Sequence, residues 1–98
     1  MLAQRARILA LLSEHRPVLA TRFGERRLAL FGSVARGTAS ENSDVDVLVA
    51  FDGPPDADPY FGVQFHIEDL LGRPVDLVTE TALRERLRPS VERDAIPV

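Results

Sequence analysis

Leu2, Ala6, Leu9 and Leu12 recur at three- and four-residue spacing, with Arg and Gln between them. That period predicts an amphipathic helix over residues 2–15. Pro17 suits the first turn of a second short helix, and Gly24 is placed to end it. The apolar run Leu28-Ala29-Leu30-Phe31, cut off by Gly32, predicts a short buried strand. Residues 33–43 are small and polar, with Gly37 among them, and predict a loop with at most one helical turn. From Asp44 to Phe51, charge alternates with Val and Leu and then gives way to a wholly apolar run, the pattern of a strand entering a core. Asp52-Gly53-Pro54-Pro55 is a turn signal. Tyr60 to Leu71 predicts a helix with most of Phe61, Phe65, Glu68 and Leu71 facing one way, closed by Gly72. Pro74 to Thr79 predicts a third strand, and Thr81 is placed to cap a last helix through about Arg93.

The resulting order, α-α-β-β-α-β-α, predicts an α/β (α+β) fold with helices on a small mixed sheet. Its 98 residues suit a single domain, 1–98, large enough to bury a hydrophobic core. At 45% hydrophobic and 28% charged, the composition is that of a globular chain and argues against disorder.

Charge and residue usage narrow the chemistry. The net charge is -3, which argues against direct nucleic-acid binding. All 12 basic residues are Arg, so a lysine nucleophile and a phosphate-loop lysine are both excluded. With no Cys, thiol catalysis, disulfides and zinc–thiolate sites are excluded as well. No apolar run approaches the roughly 20 residues that span a bilayer, and Ile8–Leu12 is too short for a signal-peptide core. The expectation is a cytoplasmic protein without a membrane partner.

The chemistry-bearing stretch is Gly32-Ser33-Val34-Ala35-Arg36-Gly37, followed by Ser43-Asp44-Val45-Asp46. Residues two apart on a strand share a face, so Asp44 and Asp46 lie side by side. Two close carboxylates repel unless positive charge lies between them. A hard divalent cation with oxygen ligands is the natural partner, and magnesium typically uses one or two carboxylates plus substrate phosphates. An isolated Asp-x-Asp fits an edge strand with a solvated polar face equally well. Asp76 shifts that balance: it is the only charge between Val75 and Val78, where a neighbouring strand could bring it to the same metals, although alone it reads equally as a capping or edge carboxylate. Gly32 and Ser33 sit where a strand ends, and backbone N–H groups and a hydroxyl there suit phosphate oxygens. Arg36 adds positive charge against those phosphates. Taken singly, Ser33 reads equally as an N-cap, Gly32 as a turn residue and Arg36 as solvated.

Rival motifs fail. Thr38-Ala39 stands where a phosphate loop needs Lys-Ser/Thr, Val34 breaks the dinucleotide fingerprint, and Val49 and Pro55 break a calcium-loop register begun at Asp44. His15, Tyr60 and His66 read as packed or boundary residues, and none is taken as a site residue.

Leu-Phe-Gly-Ser-Val-Ala-Arg-Gly, Ser-Asp-Val-Asp-Val-Leu-Val and Pro-Val-Asp-Leu-Val-Thr together resemble the minimal nucleotidyltransferase family of the DNA polymerase beta-like superfamily. The resemblance runs over nearly the whole chain. It implies that Asp44 and Asp46 bind two Mg2+ ions, that Asp76 completes the site, and that Gly32 and Ser33 hold the triphosphate. It implies ATP as the donor, with AMP passed to a hydroxyl. Many members resemble antitoxins paired with a HEPN-domain ribonuclease toxin, some silencing it through a toxin tyrosine. Larger relatives carry an added acceptor-binding domain that this chain lacks, so a partner protein is expected to complete the acceptor site, with homo- or hetero-oligomers both compatible. Two rivals remain: an antitoxin acting by contact alone, and a stand-alone nucleotidyltransferase for a small molecule or an RNA end, the acidic balance and lack of Lys arguing against RNA.

Overall fold

A computed structural model describes residues 2–40, 42–53, 57–82 and 93–98. In chain order the elements are α1 (Leu2–Phe23), β1 (Glu25–Phe31), α2 (Gly32–Arg36), β2 (Val45–Phe51), α3 (Ala57–Leu71), β3 (Val75–Thr79) and β4 (Ile96–Pro97). The strands form one mixed sheet in the order β3-β2-β1-β4. β1 runs antiparallel to both β2 and β4, while β2 and β3 are parallel, joined through α3. This is the expected small mixed sheet with helices.

Alternation along the strands divides the sheet into two faces. Leu28 and Leu30 of β1, Val45, Val47 and Val49 of β2, and Val75 and Leu77 of β3 pack into one core with Ile8, Leu12 and Leu19 of α1 and Val63, Ile67 and Leu71 of α3. Burying each such side chain contributes about 1.5–3 kcal/mol. The opposite face carries Asp46, Leu48, Asp76 and Val78, with Phe31, Leu48, Val78 and Ala95 forming a smaller apolar cluster.

Three expectations are corrected. The two N-terminal helices are one, with Pro17 inside it. An interior proline removes a helical hydrogen bond and costs about 3 kcal/mol. The buried stripe nevertheless runs through it, because Leu19 lies on the same face as Ile8 and Leu12 and is fully buried. Arg16 also anchors this turn: it pairs with the buried Glu25 at 3.0 Å and donates to the carbonyls of Arg26 at 3.0 Å and Val98 at 2.9 Å.

On α3 the inward face is not that of Phe61 and Phe65, which are 48% and 59% exposed. Val63 and Ile67 point inward instead, because Gly62 lies against the Phe23 ring; a Cβ there would come within 2.3 Å of it. Helices α1 and α3 thus meet where one residue has no side chain. The third correction is β4, which the sequence pattern did not announce. It is fixed by pairing with β1 (Leu30 opposite Ile96) and by Val98 N–H donating to the Leu28 carbonyl at 2.9 Å. The helix expected over 81–93 falls largely on residues 83–92, outside the described residues.

Candidate active site

The site begins where β1 stops. Phe31 is the last strand residue, and Gly32 turns the chain with φ of 74°, a conformation that glycine adopts without steric cost. The next strand determines what Gly32 faces. Asp46 of β2 is opposite Phe31 of β1 on one side and Asp76 of β3 on the other. A Cβ on Gly32 would lie 2.0 Å from Asp46 Oδ2. The carboxylate therefore occupies the space that the missing side chain leaves.

Asp46 and Asp76 are brought together by strand register, as neighbouring carboxylates on parallel strands. Asp44, exposed, lies one residue before β2 begins. The Asp46 carboxyl is pushed above the usual carboxylate range. Burial is the main cause, followed by the negative charges of Asp76 and Asp44 and by hydrogen bonding with the Asp76 side chain; Arg36 pulls the other way. Like charges gathered this closely repel one another, and a cation between them would relieve that repulsion.

Ser33 is not an N-cap: α2 starts at Gly32, its cap position is Phe31, and no side chain caps it. The Ser33 carbonyl accepts the backbone N–H of Thr38 at 3.0 Å, which closes the short helix at Gly37. Arg36 is exposed but not merely solvated, since it forms an ion pair with Asp94 at 3.1 Å.

Two residues that sequence reasoning passed over support the site. The Arg73 guanidinium donates to the carbonyls of Ser40 and Ser43, tying the loop that carries Asp44 to the start of β3. The Tyr60 hydroxyl donates to the Leu77 carbonyl, and its pKa is raised by burial and by the charge of Asp76. Gly-Arg-Pro directly before the third strand was the only local hint of the first. Nothing local pointed to the second.

The donor set is all oxygen, which fits a hard dication. Among the described residues no group of three or more His, Asp or Glu is drawn close enough to hold a metal by itself. The carboxylates thus suit an ion that takes the rest of its shell from phosphates and water, as magnesium does. They lie on an open sheet face. A cleft lined by Arg26, Phe51, Gly53, Thr79, Glu80 and Thr81 lies at the far end of β2 and β3, away from this chemistry. No helix among the described residues is long and apolar enough to cross a membrane.

Known proteins are similar to this chain in sequence and in fold. Residues 12–97 match the family profile described as nucleotidyltransferase domain. The chain is 38% identical over 91 residues to the protein adenylyltransferase MntA of Thermococcus cleftensis, covering 93% of this chain and 92% of that protein. It superposes on a solved minimal nucleotidyltransferase with a TM-score of 0.73 at 46% identity, covering 96% and 91% of the two chains. It is also similar to a chain of a toxin–antitoxin complex solved with AMP-PNP, with a TM-score of 0.66 and 25% identity over 95% of this chain and 70% of that one.

Proposed function

The chain belongs to the nucleotidyltransferase domain family, and from that premise we propose that it transfers AMP from ATP to a hydroxyl of a partner protein, a tyrosine of a HEPN-domain toxin, and so acts as an antitoxin. The observation that carries the proposal is the juxtaposition of Asp46 with Asp76 across β2 and β3 and with Gly32 at the end of β1.

Strand order gives the reaction its direction. Gly32 and Ser33 lie on the β1 side of Asp46, and Asp76 lies on the β3 side. A triphosphate held at Gly32 and Ser33 would bring its α-phosphate toward Asp46, with its leaving pyrophosphate toward β1. The acceptor hydroxyl then approaches from the β3 side, in line with the bond that breaks. Asp76 stands where it can draw the proton from that hydroxyl as it attacks. Arg36, released from Asp94, meets the phosphate charge. Asp44, Asp46 and Asp76 would hold two magnesium ions together with the substrate phosphates, and the ions would supply charge stabilisation at the attacking and leaving oxygens.

The reading of a purely contact-based antitoxin leaves the carboxylates without a purpose, since burial and, after it, the charges of Asp76 and Asp44 raise the Asp46 pKa at a cost to the fold. Incubation of the purified chain with its partner, magnesium and α-labelled ATP tests the proposal. Label on the partner, absent with Asp46→Asn, is the expected result. An unlabelled but neutralised partner would establish the contact mechanism instead.

A further inference from the structure

On the other side of the core from the carboxylates, His15 of α1 and His66 of α3 face each other. Their Nδ1 and Nε2 atoms are 3.2 Å apart, with the rings inclined at 57°. The two residues are 51 positions apart in the chain, so only the packing of α1 on α3 brings them together. That packing is close where Phe23 rests on Gly62. One cleft opens on the pair, lined by His15, His66, Asp69 and Leu70; a second, lined by Arg22, Phe23, Gly62, Phe65, His66 and Asp69, reaches His66 alone.

We propose that His15 and His66 form a second cation site, selective for a transition metal of the zinc class, that clamps α1 to α3. The geometry carries the assignment. Zinc binds imidazole nitrogen at about 2.0–2.1 Å, and at a tetrahedral angle two such nitrogens stand roughly 3.3 Å apart. The observed 3.2 Å is close to that separation, and the ion would sit off the line joining the two nitrogens, toward the cleft lined by His15, His66, Asp69 and Leu70. In the metal-free pair, one imidazole donates its N–H to the other; when the ion binds, the donor ring changes tautomer, its proton passing through water to its other nitrogen, so that both facing nitrogens offer lone pairs. No third His, Asp or Glu completes a metal-holding group among the described residues. The ion therefore keeps positions for water. Asp69, one turn beyond His66 and on the rim of both clefts, contributes negative charge, while Arg22 opposes it. Imidazole donors suit Zn2+, Ni2+ or Cu2+, whereas magnesium takes oxygen ligands, so the two sites of this chain are separated by ligand chemistry as well as by position. The inference does not depend on the catalytic reading.

The test uses the full chain stripped of metal, with melting followed as Zn2+ is added and stoichiometry taken by equilibrium dialysis. Wild type is expected to bind one Zn2+ at this pair, and at tenfold excess over the dissociation constant the melting temperature should rise by about 6–11 °C. His15→Gln and His66→Gln should each lose the zinc shift, while Asp46→Asn should keep it. Should either His variant fail to fold, the Cu2+-loaded wild-type protein still decides through its paramagnetic resonance spectrum, where coupling to two imidazole nitrogens is expected. A zinc shift that survives both His variants, one that disappears in Asp46→Asn, no stabilisation of wild type, or a copper spectrum without imidazole coupling would each overturn the proposal.

Discussion

The α-carbon of Gly32 and the carboxylate of Asp46 share one space: a Cβ on Gly32 would stand 2.0 Å from Asp46 Oδ2. The end of β1 and the start of β2 are thus matched at the atom expected to face the phosphates. Gly32→Ala should displace the Asp46 carboxyl and also strain a backbone at φ of 74°, for which an ordinary residue incurs about 1–2 kcal/mol. A melting temperature lower by at least about 4 °C and a transfer rate reduced at least roughly 100-fold, as for a misplaced reacting group, are expected from calorimetry and labelled-ATP assays.

Asp46→Asn should abolish transfer yet stabilise the metal-free protein. Folding raises the Asp46 pKa, so the folded state holds this proton more tightly than the unfolded chain does. The resulting stability is fully present below the ordinary carboxyl range and is lost as pH rises through the raised value. At neutral pH in chelator, the Asn variant should therefore melt above wild type, and the gap should close in acid. Magnesium with a non-hydrolysable triphosphate should stabilise wild type and leave the variant nearly unchanged. A variant that melts lower at neutral pH in chelator would contradict the shared-charge account.

Ser33→Ala should act more gently. It removes one neutral hydroxyl, worth roughly 0.5–1.5 kcal/mol as a hydrogen bond, while the backbone groups remain. The expected change is a rise of roughly two- to tenfold in KM for ATP with kcat little altered, read from steady-state kinetics. A loss as deep as that of Asp46→Asn would assign Ser33 a role in the chemistry itself.

Arg16→Ala should be among the more damaging changes outside the site. The Glu25 side chain is fully buried, and Arg16, one-third exposed, is its ion-pair partner at 3.0 Å. Stranding a buried charge costs about 3–5 kcal/mol; partial solvent access lowers the expectation to about 2–4 kcal/mol. Urea unfolding measures it. Replacing both partners with apolar residues of similar size should recover part of the loss.

Transfer should depend on a partner protein. The isolated chain is expected to bind magnesium–ATP and to turn over slowly, because its carboxylates lie on an open sheet face with no acceptor-binding wall among the described residues. Rapid labelling of a free small molecule by the chain alone would favour the stand-alone reading.

Local spacing sufficed for much of this protein. Asp46 and Asp76 fall on runs whose apolar neighbours must face a core, so their side chains had to emerge on the opposite face, and Gly32 had to end a strand. The mixed α/β class and the family likeness followed from those short stretches. What local pattern left undecided was every feature that depends on residues distant in sequence. Pro17 signals a helix boundary by itself, but Leu19 completes a stripe that only the sheet beneath it makes worth continuing. On α3 two apolar stripes compete, Phe61–Phe65 and Val63–Ile67, with nearly equal periodicity. The contact of Phe23 with Gly62, 39 residues away by their numbering, chose between them. The same holds for Ile96 against Leu30, Arg16 against Glu25, and His15 against His66. Periodicity reports which side of an element is apolar; which partner covers that side is decided by packing, because each of these contacts exists only once the helices have docked on the sheet.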